Sequence, residues 1–274
     1  MGLVGGEKMN TKIKAILSSV GLVTGYFLAQ MAASVGIGIY YGIKAAKIGV
    51  DIDVQEIESI AKSHPSIILM SFVGLLFLLL VFKIKKVKIK EYISIKKINI
   101  NQMFLFICYG FGFQVVSGIA NLTVNHFHNI EKSAESIQET LISGNIFTTV
   151  IISIVLAPII EELLFRGMIL KKLNNHINTK LAIVIQAMLF SLIHFNISQL
   201  VPTLLLGIFL GICYIKFDNI IAPIIVHLVF NSIGITIMVI PESLQIYFSY
   251  VIIASAFASV ILSMKRLESV KANS

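Results

Sequence analysis

Apolar runs long enough to cross a hydrocarbon layer recur eight times along this chain, and that recurrence leaves few folds open to it. A bilayer core of about 30 Å takes roughly 20 helical residues. Runs of that order lie at about 15–43, 65–82, 102–124, 145–169, 179–195, 200–217, 220–239 and 246–264. Backbone groups in lipid must be bonded within their own segment or a closed barrel. These runs predict an all-α polytopic membrane protein, a bundle of about eight transmembrane helices. The fourth is expected to continue as helix to about residue 174.

Composition agrees. Of 274 residues 13% are charged, where a soluble domain carries about 25%. The mean hydropathy is +0.90, so the outer surface must be apolar as well. No repeat or low-complexity tract divides the chain, and 1–274 is expected to form a single domain with its polar motifs at about 145–239. The first run follows Lys12 and Lys14 and is too long for a signal-peptide core, so it is expected to remain as a span. Residues 1–8 are expected to lack order.

The net charge of +8 does not point to nucleic acid, because no soluble basic domain exists to carry it. Orientation explains it better. With the N-terminus inside, eighteen Lys and Arg fall on the cytoplasmic side, many of them in the Lys-rich stretch 83–97. Only Lys44, Lys47, Lys62 and Lys132 fall outside. Such a bias predicts that both termini are cytoplasmic. Cys108 and Cys213 lie in apolar runs and read as small buried hydrophobes.

Polar residues inside the spans carry the chemistry. Glu161, Glu162 and Arg166 interrupt the fourth run, where each ionisable group costs about 2.5–3.5 kcal/mol on insertion scales. Pro158 lacks an amide donor and is expected to break or kink the helix just before them. Glu162 and Arg166 are four apart and share a helical face, while Glu161 points about 100° away. One acid is thereby neutralised and the other left for chemistry. Phe190 and His194 sit on the fifth run, and His227 and Asn231 share a face of the seventh. Counted along straight antiparallel helices, these groups come nearly level with one another. A carboxylate and an imidazole facing one point hold a water and take its proton. A second imidazole and a carboxamide donate to an oxyanion. The reaction so implied is amide hydrolysis by an activated water, with no cofactor.

These residues resemble the motifs of the CAAX-protease and bacteriocin-processing family of intramembrane glutamic endopeptidases, related to the Ras-converting prenyl protease. Its patterns are Glu-Glu-x-x-x-Arg, Phe-x-x-x-His, and a histidine followed four residues later by asparagine. Here they stand, in order, as Glu161, Glu162 and Arg166; Phe190 and His194; and His227 and Asn231. The resemblance covers about 158–231. It implies that Glu161 and His194 activate the water, that His227 and Asn231 form the oxyanion site, and that Glu162 and Arg166 support the geometry. It also implies a peptide or membrane-associated protein substrate, with or without a lipid anchor. The Ile-, Lys- and Asn-rich composition fits a bacterial cytoplasmic membrane.

Three other readings remain open at this point. Glu161, His194 and His227 have the ligand types of a zinc site, although the chain lacks His-Glu-x-x-His. The same fold also suits a non-catalytic immunity protein that binds a peptide or membrane partner. A small-molecule transporter lacks the expected internal repeat. The remaining histidines, His64, His126, His128 and His176, lie at span ends or in the loop 125–144 and read as solvated.

Overall fold

The computed structural model describes residues 2–48, 64–86, 93–127, 151–194 and 197–272, and all regular structure among them is helical. Among the described residues eight helices follow one another. They are α1 (Gly2–Ile48), α2 (His64–Ile84), α3 (Ile100–Phe127), a composite α4, α5 (Thr179–Leu192), α6 (Ile197–Phe217), α7 (Ile221–Val239) and α8 (Glu242–Ala272). The helix α4 opens with a π-helical stretch, Ile151–Leu156, and turns α-helical over Ala157–Glu162. It is π-helical again over Leu163–Leu170 and ends in the α-helical turn Lys171–Asn174. The loop 128–144, with His128, and the expected start of the fourth span at 145–150 lie outside the described residues.

Among the described residues five helices are long and apolar enough to cross a membrane by length and composition. They carry the segments Asn10–Lys47, Ile100–Val124, Gln199–Phe217, Ile221–Val239 and Ser243–Ser263. The apolar part of α2 is shorter, and α5 has only 14 residues, a rise of about 21 Å. The fifth run was expected to reach 195, but its helix ends at Leu192, about 9 Å short of lipid-core length. Helix α1 begins at Gly2, inside the stretch 1–8. Leu17, Leu28, Val35 and Ile39 on α1, and Tyr250 and Phe257 on α8, are more than half exposed. An outer surface of that kind needs an apolar solvent, as in an integral membrane protein.

Local chemistry sets several helix ends. Asn99 and Gln102 exchange reciprocal bonds at the start of α3: the Gln102 N–H donates to Asn99 Oδ1 (2.8 Å) and the Asn99 N–H to Gln102 Oε1 (3.1 Å). This is a capping box that satisfies two otherwise orphaned donors. Asn178 caps α5 by accepting the Leu181 N–H at 2.9 Å. The link from α6 to α7 is short. Asp218 takes a left-handed conformation (φ 43°) that Asp tolerates better than most residues. A strap at 93–98 fastens this link: Ser94 Oγ donates to Asp218 O (2.7 Å), and Asn219 Nδ2 donates to Lys96 O (2.9 Å).

Helix α4 is the axis of the bundle. Leu164, Phe165, Met168, Ile169, Leu170 and Leu173 are all essentially inaccessible, on every side of the helix. A helix buried all round is a core element. Pro158 does not break it. The backbone stays helical through Leu156 (φ −71°, ψ −48°), and the proline sits where the first π stretch gives way to the α-helical turn. Local π adjustment is one way a membrane helix re-satisfies groups freed by proline. The expected break is thus absorbed as a change of helical pitch.

Neighbours reach the site through glycines. A methyl at Gly110 of α3 would lie 2.6 Å from Val229 Cβ and 2.9 Å from Val226 O on α7. Gly110→Val is therefore expected to destabilise the fold by about 1–3 kcal/mol through overpacking. The check is the thermal unfolding midpoint in detergent, and an unchanged midpoint would contradict the close approach. Gly207 and Gly211 serve α6 against α5 in the same way, as their spacing suggests: a methyl at Gly207 would lie 3.0 Å from Ala187 Cα.

Candidate active site

Glu162 and Arg166 are both fully buried on α4, and Arg166 Nη1 donates to Glu162 Oε1 at 2.8 Å. Arg166 Nη2 donates to the Gly207 carbonyl of α6 at 3.1 Å, and its guanidinium carbon lies 4.7 Å from the centre of the Phe190 ring. The cation is thus held by a carboxylate, a carbonyl and an aromatic face. Gln186 of α5 donates to the same Gly207 carbonyl (2.8 Å) and to Ile183 O (3.0 Å). Gly207 consequently does two things: its missing side chain admits α5, and its carbonyl gathers Arg166 and Gln186.

His227 enters from α7 and is also buried. Its Nδ1 lies 2.8 Å from Glu162 Oε1, the oxygen that already accepts from Arg166. With the carboxylate as acceptor, Nδ1 carries the proton and the ring orientation is set. The opposite nitrogen, Nε2, then points toward Glu161, whose Oε2 is 3.8 Å away. That distance is beyond hydrogen-bond reach. The Glu161 side chain is 17% exposed, whereas Glu162 is sealed. Glu162 Oε2 is buried with no hydrogen-bond partner among the described residues, so Oε1 alone takes both donors.

His194 sits just past the end of α5 and is half-buried, its Nδ1 at 3.0 Å from the Phe190 carbonyl. The Phe190 ring stands edge-on between the two histidines, 5.1 Å from His194 and 5.8 Å from His227 between centroids. Phe165 closes its other side at 5.1 Å. Phe190 is therefore the hydrophobic pivot of the cluster. Asn231 lies one turn beyond His227, where its Nδ2 donates to Ser153 O in the first π stretch of α4 (2.9 Å).

The motif residues thus lie on helices packed around α4, or in the case of His194 just past the end of one, but the connections differ from those expected. Glu162 binds His227 as well as Arg166, and it is His227 whose imidazole stands beside Glu161. Among the described residues no group of three or more His, Cys, Asp or Glu side chains converges as a metal ion requires. Gln186 was missed, though it precedes Phe190 and His194 by four and eight residues, one polar face on an apolar run. Ser191 and Thr203 were missed too. Ser191 Oγ donates to Leu200 O (2.6 Å) and Thr203 Oγ1 to Ser191 Oγ (3.2 Å), tying the end of α5 to α6.

At the lysine-bearing end of the bundle, Lys172 donates to Ser18 Oγ and so joins α4 to α1. Burial pulls the Lys172 ammonium below its usual pKa. Burial, then the charge of Lys172, does the same to Lys85.

Fold and site define an all-helical integral membrane protein with a buried acid–imidazole cluster. Residues 143–233 match the family described as Rce1-like, type II CAAX prenyl endopeptidase Rce1-like. The chain is also similar to a Bacillus subtilis (strain 168) protein described as "Putative membrane peptidase YdiL", with 27% identity over 116 residues. That alignment covers 42% of this chain and 48% of the relative, so the chain spans about half the length of the curated protein it matches. No solved structure matches it. The matched segment contains all seven motif residues, Glu161, Glu162, Arg166, Phe190, His194, His227 and Asn231.

Proposed function

We propose that the chain is an intramembrane endopeptidase that hydrolyses a peptide bond of a membrane-associated peptide or protein. The observation that carries this reading is the unequal fate of two adjacent carboxylates. Glu162 is sealed and committed to Arg166 and His227, while Glu161 is partly exposed and makes no hydrogen bond among the described residues. Glu161 is the general base. It takes a proton from a water that His194 helps to hold, and the hydroxide attacks the scissile carbonyl. His227 keeps Nδ1–H on Glu162. In its protonated form it directs Nε2–H at the developing oxyanion, and Glu162 balances its charge. Asn231 spends one amide hydrogen on Ser153 O and has a second for the same oxyanion. Glu161 then returns its proton to the departing amine, which closes the cycle without a covalent intermediate.

Substrates in this reading reach the site from the lipid phase, with or without a lipid anchor, and both termini of the chain face the cytoplasm. The test is cleavage of a library of lipidated and unmodified peptides by the purified full-length protein in detergent, read as new peptide ends by mass spectrometry. Cleavage that persists in a strong chelator is the expected result. Loss of cleavage in chelator, restored by zinc, would replace Glu161 as base with a metal-bound water.

A further inference from the structure

Helices α4, α5 and α6 meet at a single oxygen. The Gly207 carbonyl of α6 accepts from Arg166 Nη2 of α4 at 3.1 Å and from Gln186 Nε2 of α5 at 2.8 Å. Gln186 is fully buried, and none of the three motifs includes it. Its amide nitrogen also donates to Ile183 O at 3.0 Å, so both of its hydrogens are spent. Its own oxygen, Oε1, is buried with no partner among the described residues. Two glycines of α6 shape the slot it lies in. Gly207 supplies the carbonyl, and a methyl at Gly211 would lie 3.0 Å from Gln186 Nε2.

For the fold alone this amide is a poor choice. A buried polar atom without a partner costs stability, and polar side chains inside a membrane are expensive. The two carbonyls that Gln186 serves do not depend on it. Ile183 O and Gly207 O lie inside α5 and α6, where the helical backbone supplies a donor four residues on. Methionine, unbranched and close to glutamine in volume, would fill the slot and orphan nothing.

What the amide supplies is a fixed height for α5. Apolar packing across glycines has no preferred register, whereas a hydrogen bond holds only within about 2.7–3.2 Å. Gln186, Phe190 and His194 follow at spacings of four on one helical face, each about 6 Å of rise from the next. Phe190 lies against the Arg166 guanidinium, and His194 stands just past the end of the helix. Arg166 holds α4 to the Gly207 oxygen and Gln186 holds α5 to it, so the segments that bring Glu161 and His194 are referred to one atom.

Resting on the reading that Glu161 and His194 hold the attacking water, we propose that Gln186 is a positioning residue: its bond to the Gly207 carbonyl, shared with Arg166, sets the height of α5 and so places His194 opposite Glu161.

The experiment uses the full-length protein and a peptide that it cleaves. Gln186→Met keeps the volume and removes both donors. It is expected to lower kcat by about ten- to a hundredfold, the scale of a misplacement of about 1 Å. KM should stay within about twofold, and the unfolding midpoint should not fall. In a His194→Ala background, read by single-turnover cleavage, the same change should add no further loss. Wild-type kcat in Gln186→Met beside an inactive Glu161→Gln would overturn the role of Gln186 and leave Glu161 as base. A lowered midpoint with kcat and KM both altered would assign Gln186 to packing and also overturn it. An undiminished loss in the His194→Ala background would show that it does not act through His194, with the same consequence. Full activity in Glu161→Gln would instead remove the underlying mechanism.

Discussion

Glu161→Gln is expected to slow peptide cleavage by about 10²–10⁴-fold, the usual contribution of a positioned general base. The amide is nearly isosteric with the carboxylate but cannot take a proton from water at neutral pH. The fold should survive. Glu161 makes no hydrogen bond among the described residues, and a neutral side chain costs less inside a membrane than a charged one. Steady-state rates beside an unfolding curve provide the check. Loss of activity together with loss of the fold would show that Glu161 is structural.

Arg166→Leu should have the opposite profile, with its main effect on stability. It removes the cation that neutralises Glu162 in a fully buried setting and leaves a carboxylate without its ion-pair partner. Breaking one half of such a pair costs about 3–5 kcal/mol. Replacing Glu162 and Arg166 together by leucine should recover much of that loss, because a well-packed apolar pair needs no solvation. Activity should not recover with it. His227 Nδ1 would lose its acceptor at Glu162 Oε1, and with it the orientation of Nε2 toward Glu161. Midpoints and rates for the single and double variants together test this. Recovery of both stability and activity in the double variant would contradict the role given to Glu162.

Much of the fold was legible because apolar length and helix rise are properties of the sequence itself. The runs at 102–124, 200–217 and 220–239 correspond to helices with similar bounds. The fourth segment was less legible. A search at 3.6 residues per turn has no signal for a π stretch, so Pro158 reads as a break when the backbone instead changes pitch. Within the site, the pairing of Glu162 with Arg166 follows from a spacing of four on one helix. The bond from His227 to Glu162 joins residues 65 positions apart, and only packing reveals it.

The central claim is that Glu161 activates a water that attacks the peptide bond directly. The measurement that reaches it is single-turnover cleavage in ¹⁸O-labelled water, comparing the full-length protein with Glu161→Gln and following the peptide products and the intact protein mass together. The expected result is one ¹⁸O in the new carboxyl end, an unmodified protein throughout the turnover, and a product burst absent from Glu161→Gln. A peptide adduct on the protein, or equal product from the variant, would contradict it.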